Sequence, residues 1–302
     1  QFLLAAALVH GAIIPLMMPA RQAIIPQLVE KEQLMNAIAL NSLAMSLTTL
    51  AAPAAAGWLI AAIDIDGVYY LMAGMYVGSL VFTGLLPRAG GTTGDARPQT
   101  RMLAGITDGL RYVRTNLGLL HLLVLAFSVI IFTMPIRFVL PIFAKDVFGV
   151  GPGGLGIMMS AMGLGGLAGA LVIASLRPGA KRGLLLAGTA VAAGGALLGF
   201  AGVSMLAPLL VMGLVFLALV GLTQSGVMTL SNTLIMEYTE QEYRGRVSSI
   251  FMLSFGLMPA GVLPITFAAE FIGAPLALGI MALLLVLIAS ALTASPHLRR
   301  LA

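Results

Sequence analysis

Apolar residues run along this 302-residue chain in blocks of about twenty, and the polar positions collect in the gaps between them. A helix needs about 20 apolar residues to cross roughly 30 Å of hydrocarbon, and it satisfies its own backbone polar groups there. Reading the blocks between charged or Pro/Gly-rich breaks gives nine spans, near 2–25, 37–62, 67–86, 117–144, 153–176, 183–203, 205–235, 247–269 and 273–294. The pattern predicts an all-α polytopic membrane protein with no room for a soluble domain.

The charges sort by gap. Arg21, Lys31, Arg88, Arg97, Arg101, Arg111, Arg114, Arg177, Lys181, Arg182, Arg244, Arg246, Arg299 and Arg300 fall in one alternate set. The opposite set holds Asp64, Asp66, Lys145 with Asp146, and Glu270, while Arg137 sits within a span. Fourteen of the sixteen basic residues therefore share one face, which the positive-inside rule makes cytoplasmic. Nine spans place the two ends on opposite faces, with Ala302 inside and Gln1 outside.

Composition narrows the classes further. Hydrophobic residues make up 60% and charged residues 9%, against roughly 25% charged in an ordinary globular domain. The net charge of +5 is explained by orientation and predicts no nucleic-acid partner. With no cysteine, and with His10, His121 and His297 scattered, neither a disulfide framework nor a metal site is spelled out, and no cofactor is expected.

One long hydrophilic connection, residues 87–116, divides the chain. Its first part, from Arg88 to Pro98, is a flexible linker by composition. Its second part repeats Met102, Leu103, Ile106, Leu110 and Val113 at helical spacing, which suits a short amphipathic helix on the cytoplasmic membrane surface or a solvated connector. Residues 1–86 then hold three spans and residues 117–302 hold six. Because six should precede a central loop that six follow, and because the chain opens with Gln1 in apolar sequence, we expect a fragment lacking three upstream spans. A weak internal repeat agrees with parallel six-span halves: Ile25-Pro-Gln-Leu-Val-Glu30 resembles Ile235-Met-Glu-Tyr-Thr-Glu240, 210 residues later. Small residues such as Gly165 and Gly169 mark faces where helices approach, and Pro135, Pro141, Pro259 and Pro264 should bend or unwind their spans.

Three segments carry a family likeness. Pro19-Ala-Arg-Gln-Ala-Ile-Ile-Pro-Gln-Leu-Val with Leu34-Met-Asn36-Ala37 and Leu40-Asn41-Ser42, then Leu110-Arg-Tyr-Val-Arg-Thr-Asn, then Arg244-Gly-Arg-Val-Ser-Ser with Pro259-Ala-Gly, resemble the major facilitator superfamily. The closest likeness is to its bacterial branch of drug, macrolide and siderophore (enterobactin-type) exporters. The resemblance implies two six-helix halves, of which this chain would cover helices four to twelve. It also implies proton-coupled efflux across the bacterial plasma membrane by a monomer. Ala52-Pro53-Ala-Ala-Ala-Gly57 departs from the exporter-type Gly-Pro motif, and Ser175-Leu-Arg177-Pro-Gly-Ala-Lys181-Arg182 lacks the acidic residue of the family's loop signature.

An ionisable side chain in a bilayer needs a reason. Arg137 either binds an anionic group or a carboxylate, or snorkels to the outer interface. His10 either relays protons or packs between helices. Asn41, Gln224 and Asn232 stand in spans flanking a cavity, where they hydrogen-bond substrate or neighbouring helices, and Tyr76 lies deep enough to face that cavity. Charges at cytoplasmic turns latch the halves in family members, which makes Arg21, Glu30, Glu237, Glu240, Arg244 and Arg246 gate candidates or simply topogenic charges. No phosphate-binding loop, nucleophile elbow or carboxylate dyad argues for an enzyme, and no charge ring or filter repeat argues for a channel. The expected function is secondary active export of a small amphipathic molecule, with nutrient or sugar uptake on the same fold as the alternative.

Overall fold

The computed structural model describes Ile24, Val29 and residues 33–85, 100–175 and 182–293. Among these residues every regular element is helical. In chain order they are α1 (Leu34–Gly84), α2 (Thr100–Thr115), α3 (Leu117–Thr133), α4 (Ile136–Ile142) and α5 (Gly151–Ala174). Then come α6 (Arg182–Leu206), α7 (Leu210–Tyr238), α8 (Arg244–Leu253), α9 (Pro259–Ile272) and α10 (Ala274–Thr293). A π-helical turn, Phe143–Val147, extends α4, and a 3-10 turn, Ser254–Leu257, separates α8 from α9.

Six stretches among the described residues are long and apolar enough to cross a membrane: Asp66–Gly84, Leu117–Val147, Gly151–Ile173, Arg182–Leu206, Leu210–Tyr238 and Ala274–Thr293. The first of the nine expected spans lies outside the described residues. The second and third are joined in α1, whose only break is Asp64 at φ 57 and ψ 172. That conformation lies outside the helical, extended and left-handed regions, in backbone space that glycine alone adopts without strain. The eighth expected span is discontinuous, an interruption that leaves Pro259–Ile272 as a short apolar helix of 14 residues.

Cα packing divides the chain into two compact units, Gln1–Thr49 with Ile65–Ala96 and Leu50–Asp64 with Arg97–Ala302. In the first unit the described helix presents Tyr69, Tyr70, Met75, Tyr76, Leu80 and Phe82 outward.

In the second unit, α3 begins where Asn116 caps it by accepting a hydrogen bond from the Leu119 N–H at 3.2 Å. That cap satisfies one of the donors a helix start leaves free, and it fixes the boundary between connection and span. Phe143, Phe200, Leu119, Leu122, Leu186, Leu197 and Leu217 are fully buried, with the Phe143 and Phe200 rings 4.9 Å apart. Lipid gives helices no hydrophobic reason to associate, so their contact rests on close packing. Small residues supply it: a Cβ at Gly165 or Gly169 of α5 would overlap the carbonyls of Ala218 or Leu222 in α7, and one at Gly221 would overlap Met162. Gly273, at φ 82, makes the turn from α9 into α10 in a conformation a side chain disfavours.

Candidate functional site

Two of the spans in the second unit are interrupted, and the interruptions touch. After Thr133 the first helix breaks at Met134 and Pro135, and α4 restarts with Pro135 as its cap. Pro141 has no N–H to return to the Arg137 carbonyl, and the chain past it widens into the π turn, where the Phe148 N–H reaches the Phe143 carbonyl at 2.9 Å. The second break, Ser254–Met258, ends at Pro259 in the first turn of α9. A Cβ at Gly261, just beyond it, would overlap the Ile131 carbonyl and lie 2.9 Å from Pro135 Cγ.

Beside these breaks a polar chain crosses from α3 to α7. Thr133, fully buried, donates its hydroxyl to the Val129 carbonyl at 2.7 Å. Its oxygen then accepts from Gln224 Nε2 at 2.9 Å. That choice turns Gln224 Oε1 outward, where Arg137 Nη2 donates to it at 3.5 Å. The direction of each bond fixes the next, because a hydroxyl already donating can only accept from the amide. Gln224 lies midway along α7, fourteen residues from either end, or about 21 Å of helix each way. Arg137 itself is exposed, yet its guanidinium reaches toward that middle depth instead of extending to the outer end of its span.

The other sequence candidates separate. Asn232 is exposed, donates to its own helix at Met228, and shares a surface with Arg182, Met236 and Glu237, away from the Gln224 face. Seven residues restore a helix face and eight rotate off it, so Ser231, fully buried, is the residue that follows Gln224. Tyr76 is 63% exposed and lies with Met72, Met75 and Ser79 along one face of α1. Asn41 is half-buried in the same helix. His10, Arg21 and Glu30 lie outside the described residues.

The charged turn at the basic end is organised by contacts that residue spacing did not show. Glu237 pairs with Arg182 at 2.8 Å, both partly exposed. Arg244 Nε donates to the Thr239 carbonyl at 3.1 Å, closing the α7–α8 turn. Tyr112 of α2 stacks on Tyr243, centroids 4.3 Å apart and planes 6° from parallel, and Arg246 lies over the Tyr243 ring at 5.0 Å. The Glu240 N–H donates to the Tyr112 hydroxyl at 3.4 Å. A cleft of about 460 Å³ opens here between Asp108, Arg111 and Tyr112 on one side and Glu242, Tyr243 and Arg246 on the other. The amphipathic helix expected at the membrane surface therefore packs part of its apolar face on α8. Val113 and Gly109 are buried there, whereas Leu110 is 40% exposed.

Sequence reading passed over Thr133, Tyr112 and Tyr243. Thr133 had a usable signal, since it precedes Arg137 by one helical turn at a proline break. Tyr112 stands next to arginine within one segment that carries the family likeness, and Tyr243 directly precedes Arg244 of another, a pairing suited to stacking.

The family model described as Major Facilitator Superfamily matches the chain over residues 1–261 and again over 122–300. This chain belongs to that superfamily. It is accordingly a multi-pass membrane protein of the secondary-transporter class that moves a small molecule through the bilayer, on an all-α helical bundle. A comparison with curated proteins returned no match.

Proposed function

We propose that this transporter exports a small amphipathic molecule, of drug, macrolide or siderophore type, by alternating access across a bacterial plasma membrane, driven by inward proton flow. It acts as a monomer and without a cofactor. The reading is supported first by the polar chain of Thr133, Gln224 and Arg137, which stands at middle depth among apolar helices beside two broken spans. Secondary transporters bind substrate near the midplane, at discontinuous helices that can rearrange without leaving backbone groups stranded in lipid. Export over uptake is favoured by the exporter-like segments at Pro19–Val29 and Arg244–Ser249.

Domain roles follow from this reading. Residues 117–302 form one half of the bundle, residues 1–86 contribute to the other, and 87–116 join them on the cytoplasmic side. Glu237, Glu240, Arg244 and Arg246 act at the cytoplasmic gate, with Arg21 and Glu30 as partners. His10 serves proton transfer, and Asn41 and Tyr76 line the route. The decisive experiment measures accumulation of fluorescent drugs and catechol siderophores in cells expressing the protein, with and without a protonophore. Lower accumulation that the protonophore abolishes is the expected result. Higher accumulation of a nutrient or sugar would assign uptake instead.

A further inference from the structure

Arg137 raises a question that export alone does not answer: what its charge is for. The lone ion pair among the described residues, Arg182–Glu237, is at the basic end of the bundle, and Arg137 has only a neutral amide oxygen at 3.5 Å. A guanidinium carries five N–H donors in a planar fork, and among the described residues a single acceptor at that distance leaves the charge without a counter-charge at a depth where charge is expensive. Snorkelling to the outer interface would relieve the expense, but the guanidinium instead lies within reach of Gln224, at the midpoint of α7. Thr133 in turn holds Gln224, with its acceptor oxygen toward Arg137. Among the described residues the three thus keep a cation in place without neutralising it. An amide oxygen aligns the fork and leaves its remaining donors for an anion, to which paired N–H groups bind with both charge and geometry.

We infer that Arg137, positioned by Gln224 and Thr133, selects transported molecules bearing an anionic oxygen group, such as a carboxylate, on an amphipathic body. The inference rests on the proposal that this seam meets the transported molecule, and it adds the charge class that a simple apolar cavity would not discriminate.

The test is equilibrium binding to the full chain in lipid nanodiscs, with empty nanodiscs as the blank and no proton gradient. The probes are dansylaminoundecanoic acid and its methyl ester, which share a body and differ in charge. The acid should bind about tenfold tighter than the ester, the scale of one charge-assisted hydrogen-bonded pair. Arg137→Gln should remove that difference by weakening acid binding toward that of the ester. Arg137→Lys should keep part of it, since charge survives and the fork does not. Equal affinity for acid and ester in the unaltered protein, an acid preference that persists in Arg137→Gln, or no saturable binding of either probe would each overturn the assignment. Because no gradient is used, loss of proton-driven export with a retained acid preference would sink the export reading alone.

Discussion

Gly261 and Pro135 meet where the two interrupted spans cross, with room for a hydrogen on the glycine and none for a methyl group. Two backbones that have each lost regular hydrogen bonding are thereby held in contact. Gly261→Ala should force α9 away from α3, lowering stability by about 1–3 kcal/mol, the usual scale of overpacking. Gly188→Ala in α6, where an added Cβ would meet nothing within 4 Å, should be neutral or slightly stabilising. Thermal unfolding of the two variants in detergent separates these outcomes.

The Thr133–Gln224–Arg137 chain predicts unequal effects from its members. Gln224→Leu removes the acceptor that faces Arg137 and leaves both neighbours short of a partner, so it should cost about 1–3 kcal/mol. Thr133→Val removes both hydroxyl bonds, of which the one across to Gln224 should cost nearer 0.6 kcal/mol, typical of interhelical polar contacts in membranes. The double variant should lose less than the sum, because the two residues share a bond at 2.9 Å. Equal, additive losses in unfolding measurements would show that the chain does not act as a unit.

Span positions were legible because hydropathy over about twenty residues reports passage through lipid directly, and α5, α6, α7 and α10 fall where apolar runs predict them. Packing faces were less legible. These helices are apolar all round, so periodicity cannot distinguish a lipid-facing leucine from a buried one; Leu217 is fully buried while Leu219, two residues on, is 41% exposed. Glycines carried that information for α5 and α7. Pro135 and Pro259 marked the breaks in advance, yet their contact depends on which helices lie side by side, which no local pattern encodes. For Arg137 the span was plain and the partner was not, since Gln224 lies 87 residues away.

Arg182 and Glu237 make a short ion pair, but both remain in reach of solvent. Exposed pairs of this kind contribute about 0–1 kcal/mol. Arg182→Gln should therefore change unfolding by less than about 1 kcal/mol, and any effect should fade in high salt. A larger loss that persists at high salt would mean the pair is shielded in the membrane-embedded protein.

Tyr112 and Tyr243 join the connecting helix to the turn that carries the gate candidates, so their stack couples α2 to α8. Aromatic pairs give about 0.5–1.5 kcal/mol beyond burial, and the Arg246 guanidinium over Tyr243 adds a cation–π contact. Tyr243→Ala should remove both and free α2, raising protease cleavage between residues 100 and 115. Tyr112→Phe should keep the stack and lose only the hydroxyl that accepts from Glu240 N–H, leaving cleavage close to that of the unaltered protein. Arg244→Gln combined with Arg246→Gln should shift the inward- and outward-facing populations, read by distance measurements between spin labels on the two halves. If Tyr243→Ala leaves cleavage unchanged, the connecting helix is held by the buried contacts of Gly109 and Val113 and the aromatic pair is incidental.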